Sequence, residues 1–358
     1  MHYYGTYAMA RAAGLRAGIC RTIAYAAQFV DDNAGKDEAR FKDGGGIDYD
    51  ASAHHTLNIK NLGERDQRHV WVPFHFLPGN QGDNFTERLV CRKNSDIAQE
   101  MVKHHLEMAE APFTVELLGV AAHVYADTFS HYGFSGVSSH HNRVINDSWK
   151  FFDLNPNTEK YIMDKAEDHK RKYWDEPGGL LINIKSSFVE VASGALGHGA
   201  VLTFPDRPYL EWDFEYELPE PRRERRSNRA TFLEGCEALY SMFRRFADIH
   251  PRLAENNGKK FTDIRDLVKR VIDTQASMDN RIEAWQEASK SDDLFVNGGE
   301  SIPPYDEAEW GNIIKNMKDR ENSEYALSTP VYRFFQAVSL HRNYVLRELL
   351  PKHKLIVA

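Results

Sequence analysis

One stretch of this chain, Glu116-Leu-Leu-Gly-Val-Ala-Ala-His-Val-Tyr-Ala-Asp-Thr-Phe-Ser-His131, constrains the fold more than any other. Within it His123, Asp127 and His131 follow one another in steps of four residues. On a helix, such steps at about 100° per residue keep all three side chains within an arc of roughly 80°. One stripe of a largely apolar helix then carries only side chains able to ligate a metal. The two imidazoles stand about 12 Å apart along the axis with the carboxylate midway. That span is too wide for one ion and suits two ions a few ångströms apart that share Asp127.

The rest of the chain reads as a frame around this helix. Tyr3 to about Val30 is rich in Ala and predicts one broken helix or two, with Gly14 and Gly18 as break points, ending in Asp31-Asp32-Asn33. From Asn33 to Ala53, scattered Gly, Asp and Lys predict a long solvated loop that flanks a site. Pro73 and Pro78 hold His75 on a stiff aromatic segment, Val70 to Pro78. Asn94 or Ser95 caps a helix running to about Ala111, and Pro112 opens the central helix, which Gly133 and Gly136 stop.

Further helices are expected from Asn155 to about Asp175 and from Asn183 to about Leu196. Arg207 to Arg229, with Pro219, Pro221 and the run Arg222-Arg-Glu-Arg-Arg226, reads as a polar connector whose charge run is a solvated face. Beyond it, Thr231–His250, Thr262–Lys290, Tyr305–Lys318 and Thr329–Leu349 have helical apolar spacing. Strand signals are weak throughout. The expected class is therefore all-α, with a metal-binding core over residues 1–210, a connector over 211–228 and a C-terminal helical lobe over 229–358.

With 358 residues, 42% of them hydrophobic, the chain can bury a large core. A formal charge of −8 argues against an extended nucleic-acid footprint. Cys20, Cys91 and Cys236 are too few and too dispersed for a disulfide framework, which fits a reducing compartment. No signal peptide and no run of eighteen apolar residues is seen, so the expectation is a soluble, cytoplasmic protein. Histidine is the outlier, at 16 residues.

Two zinc ions need roughly seven to nine donors between them, counting water, and zinc accepts imidazole and carboxylate. The chain offers His2, Asp31 or Asp32, His75, His123, Asp127, His131 and His198, the last between Gly197 and Gly199, where the backbone is free to approach closely. His140 and His141 read as an exposed loop pair. His54, His55, His69, His104, His105 and His169 read as structural or surface groups, and His250, His341 and His353 as incidental.

An N-terminal His, an Asp ending the first helical hairpin, a His in an aromatic segment, and His-x-x-x-Asp followed closely by His resemble the superfamily of zinc-dependent phospholipase C and the single-strand-specific fungal nucleases. The wording His2-Tyr-Tyr-Gly-Thr-Tyr, Ala27-Gln-Phe-Val-Asp-Asp32, Gly197-His-Gly-Ala-Val and Pro205-Asp-Arg-Pro looks closer to a family of uncharacterised bacterial proteins, DUF6765-like, near that superfamily. The resemblance covers about residues 1 to 210. It implies an α-helical site with two or more divalent ions that hydrolyses a phosphodiester or a phospholipid head group. His75, His123 and Asp127 match best, with Asp127 as the bridge. His2 stands where secreted members place a terminal Trp. The last His-x-x-x-Glu pair of the superfamily is missing, and His198 with Asp206 is the substitute.

The expected protein is thus a zinc-dependent phosphoesterase in which the metal lowers the pKa of bound water towards 7, and Asp31 or Asp32 accepts its proton. Two alternatives stay open: a non-catalytic metal-stabilised helical interaction or effector module, and a di-iron oxidoreductase. Oligomeric state is not legible.

Overall fold

The computed structural model describes residues 1–35, 37–53, 67–108, 111–145, 148–170, 197, 201–217, 220–317, 320 and 322–357. The first two helices are Tyr4–Ala12 (α1) and Ala17–Asp32 (α2). They break at Gly14, whose φ of +98° lies in the left-handed region and whose missing side chain leaves room for the Asn256 carbonyl. Asp96–Glu107 (α3) starts at Ser95, whose side chain accepts from the Ala98 amide. The central helix is Thr114–Ser130 (α4), followed by Pro156–Lys170 (α5). Asn228–Ile249 (α6), Phe261–Ile272 (α7), Met278–Lys290 (α8), Ala308–Met317 (α9) and Pro330–Tyr344 (α10) complete the longer helices described. The expected helix at residues 183–196 lies outside the described residues.

Helix α4 is surrounded. It packs against α2, α3, α6 and α10, and from Leu117 to Tyr125 every side chain is buried. Its contact with α2 is unusually close, because a Cβ built on Gly119 would stand 2.5 Å from the Ile23 carbonyl oxygen and 2.6 Å from Ala26 Cβ. Glycine at this one position lets two backbones meet.

The all-α expectation is wrong. Asp37–Arg40 (β1) and Gly46–Tyr49 (β2) form an antiparallel hairpin inside the stretch expected to be loop. Lys150–Phe152 (β3), Glu211–Tyr216 (β4) and Arg222–Ser227 (β5) form a second antiparallel sheet in the order β3-β4-β5. The physical reason lies in alternation. Along β4, Trp212, Phe214 and Tyr216 are buried on one face, while Asp213 and Glu215 on the other meet the guanidinium of Arg223. The arginine run is a strand, with Arg223 answered across the ladder and Arg222 by Glu224 on the same strand. Arg226, on the buried face, is 1% exposed. Its guanidinium donates to the carbonyls of Ser130 and Tyr132, closing the C-terminus of α4, and lies over the Tyr132 ring at 3.9 Å.

Two apolar clusters result. The larger joins α1–α4 to the C-terminal helices, and the smaller gathers Phe76, Phe134, Phe204, Trp212 and Phe214 under the second sheet. No helix among the described residues is long and apolar enough to cross a membrane.

A chain of histidines crosses the larger cluster. His341 Nε2 lies 2.8 Å from the Pro73 carbonyl, so this nitrogen donates and Nδ1 accepts from His105 Nε2, also at 2.8 Å. His105 Nδ1 then faces His104 Nδ1 at 3.0 Å, and the His104 ring stacks on Tyr344. His104 and Tyr344 line a surface groove of about 750 Å³. Burial drives His105 well below its ordinary value, with the neighbouring His341 and His104 adding to it. Burial also pulls His341 down to about 4, against the bond to Pro73.

Because the unfolded chain takes up these protons and the folded one refuses them, their contribution to stability is full above about pH 6.5 and declines as pH falls towards 4. His341→Gln, which can still donate to Pro73, is expected to flatten the fall in Tm between pH 7 and 4.5, by an amount equivalent to about 3 kcal/mol at most. Thermal melts of both proteins across that range check it, and parallel curves refute it.

Candidate metal centre

Four stretches of chain bring five donors together. His2 precedes α1, Asp31 sits in the last turn of α2, His75 follows the short helical turn Val72–Phe74, and His123 and Asp127 share a face of α4. The close approach at Gly119 carries His123 against α2, where its Nδ1 lies 2.8 Å from the Ala27 carbonyl. A carbonyl only accepts, so that nitrogen bears the proton and Nε2 keeps a lone pair. His75 repeats the arrangement with its other nitrogen: Nε2 lies 2.9 Å from the Ser52 carbonyl, which leaves Nδ1 bare.

The two bare nitrogens face each other at 3.2 Å, and they lie 3.3 Å (His75) and 3.2 Å (His123) from Asp127 Oδ2. Three electron-rich atoms at these separations repel unless a cation stands among them. His2 adds a further nitrogen, Nε2, 3.2 Å from Asp127 Oδ1, with its ring stacked on His123 at 4.0 Å. Its Nδ1 is buried without a hydrogen-bond partner among the described residues. Asp31, 40% exposed, approaches His2 at 3.9 Å and His75 and His123 at 3.8 Å. Those distances are too long for hydrogen bonds. They lie near the separation of about 3.4 Å between donors sharing a zinc ion bound at roughly 2.1 Å. The donor atoms of His2, His123 and Asp127 all lie within 4.8 Å of one another, as do those of Asp31, His75 and His123.

The stripe divides at its end. His131 stands just past the last helical residue as the cap of α4, its ring stacked on Phe76. Its Nδ1 donates to the His75 carbonyl at 2.8 Å, and its Nε2 faces Asp206 Oδ1 at 3.1 Å. Asp127 Oδ2 is 3.5 Å from His131 Nδ1, so the shared carboxylate touches both halves. Asp32 points elsewhere, as adjacent helical residues must. Tyr305 donates its hydroxyl to it, Gln28 Nε2 lies 3.5 Å away, and burial raises its pKa. His198 lies outside the described residues. Gly197 beside it has φ +55° and packs so closely on the Phe76 ring that a Cβ would come within 2.4 Å of it.

Charge inside the cluster is shared unevenly. Burial works against the Asp127 carboxylate, yet His131, His123 and His2 together hold it well below the usual range. Burial likewise opposes a charged His131, but Asp127 and Asp206 outweigh it and lift the group to about 9. His123 rises for the same reason, through Asp127 and Asp31, whereas burial and the His123 charge depress His2. Protons and metal ions compete for these lone pairs.

Sequence spacing leaves several partners unseen. The Ala27 and Ser52 carbonyls fix which nitrogen of each ring is free, and no side-chain motif announces a carbonyl. Arg226 fixes the end of α4 from a run that reads as surface charge, and His341 is fully buried with partners distant in sequence. The His140 and His141 rings lie tilted against one another, with His141 facing Thr86.

The chain matches the profile described as "Family of unknown function (DUF6765)" over residues 1–349. No curated protein and no solved structure matches it.

Zinc added to the metal-stripped protein is expected to raise its stability by about 2.7 kcal/mol at a hundredfold excess over Kd, and His123→Ala and Asp127→Ala are expected to remove both the shift and the bound metal. Calorimetry with elemental analysis measures this. Full metal occupancy in both folded variants contradicts it.

Proposed function

The chain belongs to this family of unknown function, and we propose that it is a metal-dependent hydrolase of phosphate esters with zinc as its metal. The observation that carries the metal centre is the pair of bare nitrogens, His75 Nδ1 and His123 Nε2, turned on Asp127 by the carbonyls of Ser52 and Ala27. His2, His75, His123, Asp31 and Asp127 would hold the first ion. His131 and Asp206 repeat the same motif, a ring fixed by a carbonyl with its other nitrogen on a carboxylate, and would serve a second ion beside Asp127. Imidazole and carboxylate donors without a cysteine suit zinc.

When bound, such ions acidify water and polarise a phosphoryl oxygen. The chain's own residues do the rest. The Ala27 and Ser52 carbonyls keep His123 and His75 in single tautomers, so the donors need no reorganisation. Asp127, buried among histidines, stays ionised and links both halves. Asp31 is the most exposed of the five donors and stands where it can take a proton from an attacking water, while Asp32 is engaged with Tyr305. The phosphodiester or phospholipid head-group class rests on the resemblance of the order of motifs, read from the sequence, to that of the phospholipase C superfamily. Cys20, Cys91 and Cys236 are free and buried, which supports a reducing, cytoplasmic setting.

The expected activity is hydrolysis of bis(p-nitrophenyl) phosphate, lost with chelator, restored by zinc, and lowered at least a hundredfold in His75→Ala. Circular dichroism of the variant separates loss of chemistry from loss of fold. A zinc-replete protein inert towards phosphodiesters, phospholipids and single-stranded nucleic acid overturns the hydrolase reading and leaves a metal-stabilised module.

A further inference from the structure

Beside the donor cluster stand two arginines that no carboxylate answers among the described residues. Arg207 follows Asp206 directly. Its Nη1 lies 3.4 Å from the Tyr209 hydroxyl, and its Nη2 lies 3.3 Å from the Tyr161 hydroxyl and 3.2 Å from Thr203 Oγ1. Its guanidinium sits 5.0 Å from the centre of the Tyr161 ring. Arg281, in the first turns of α8, sits 5.6 Å from the centre of the buried Tyr209 ring. The two cations are thus gathered around one tyrosine. The Nε of each is buried without a hydrogen-bond partner among the described residues. Burial, and the like charge of Arg207, pull Arg281 below the ordinary arginine value.

This arrangement is held in place by the fold. Asn155, at the start of α5, donates from its backbone N–H to the side-chain oxygen of Gln275 and from Nδ2 to the Gln275 carbonyl, just before α8, so the helix bearing Tyr161 and the helix bearing Arg281 are tied together. Helix α8 also packs on α1, whose leading residues include His2. The Met1 amino group feels Arg281 together with Asp31 and Asp206, after the larger effect of its own burial. Arg207 is one residue from the carboxylate that faces His131. Both arginines thus lie on segments that adjoin the cluster, Arg207 next to the carboxylate that faces His131 and Arg281 on the helix that packs on α1.

Half-buried guanidinium groups are normally paired with carboxylates. Two that converge without one repel each other; Arg207 is answered only by neutral hydroxyls, and the Arg281 side chain keeps its donors unused, an arrangement that phosphate oxygens satisfy by charge-assisted hydrogen bonds. We infer that Arg207 and Arg281 form an anion subsite at the rim of the His–Asp cluster and receive a phosphoryl group there, so that the substrate of this site is phosphate-bearing. This rests on the metal-centre reading for its role in turnover, but the subsite itself needs no metal.

Inorganic phosphate titrated calorimetrically into the full chain, before and after chelation, tests it. Binding is expected in both states, weakened at least tenfold by Arg281→Gln and less by Arg281→Lys, with zinc content unchanged. The Arg281 backbone N–H donates to the Ser277 carbonyl, but its side chain makes no hydrogen bond among the described residues, so the variant is expected to fold, and a thermal melt checks this. Arg207→Gln is expected to act in the same direction. Phosphate affinity unchanged in both glutamine variants, or binding that vanishes on chelation, overturns the subsite even where zinc is bound. Arginine-dependent phosphate binding in a chain that takes up no zinc supports the subsite and defeats the metal reading instead.

Discussion

The meeting of α2 and α4 at Gly119 governs the geometry of everything around it. With no side chain at that position the two backbones touch, and each helix then presents its next turn to the other. On α2 that turn begins at the Ala27 carbonyl and ends at Asp31; on α4 it begins at His123 and ends at Asp127. Both pairs are four residues apart, so each lies on one face of its helix. One close crossing therefore sets the tautomer of His123 through Ala27 and brings two carboxylates towards the same nitrogen, Nε2, of that imidazole. Any side chain at residue 119 separates the helices and moves all four groups together.

The other half of the site depends on a seam. Phe76 belongs to the smaller apolar cluster yet stacks on His131, and the carbonyl of His75 one residue earlier accepts from that same histidine. The second sheet contributes through Arg226, which holds the final carbonyls of α4 and so fixes where His131 leaves the helix. The arginine is buried against carbonyls and aromatic faces, where the negative end of the helix compensates its charge. A strand far along the chain thus adjusts a histidine that the helix alone would leave pointing along its axis.

The His123–Asp127 pair was legible in the sequence because helical spacing is a strong, local signal and α4 obeys it. Between Asp31 and Asp32 the sequence offered no choice. Both end the same helix, and only the position of Tyr305, far along the chain, separates them. The strands were missed for a different reason. Glu211-Trp-Asp-Phe-Glu-Tyr216 alternates as a strand should, but the prolines and arginines after it read as a linker, and β3 joins from some sixty residues earlier. Of the β5 charges, Arg223 is paired across the ladder and Arg226 is buried against carbonyls, which composition alone does not reveal. Arg207 and Arg281 carry no motif, and only the folding of α5 and α8 onto Tyr209 puts them side by side.

The donors come from positions 2, 31, 75, 123 and 127, with Asp206 beside them, and the three cysteines form no covalent link among these segments. A single cation at their meeting point would close several long loops of the chain at once. Because the unfolded chain would release the ion, the closures would stabilise the fold through the free energy of binding. In topology such a centre would be a knot of cross-links rather than a local clip, joining segments that no disulfide joins. The first residues, which in most chains fray, would then be tied to the central helix through His2.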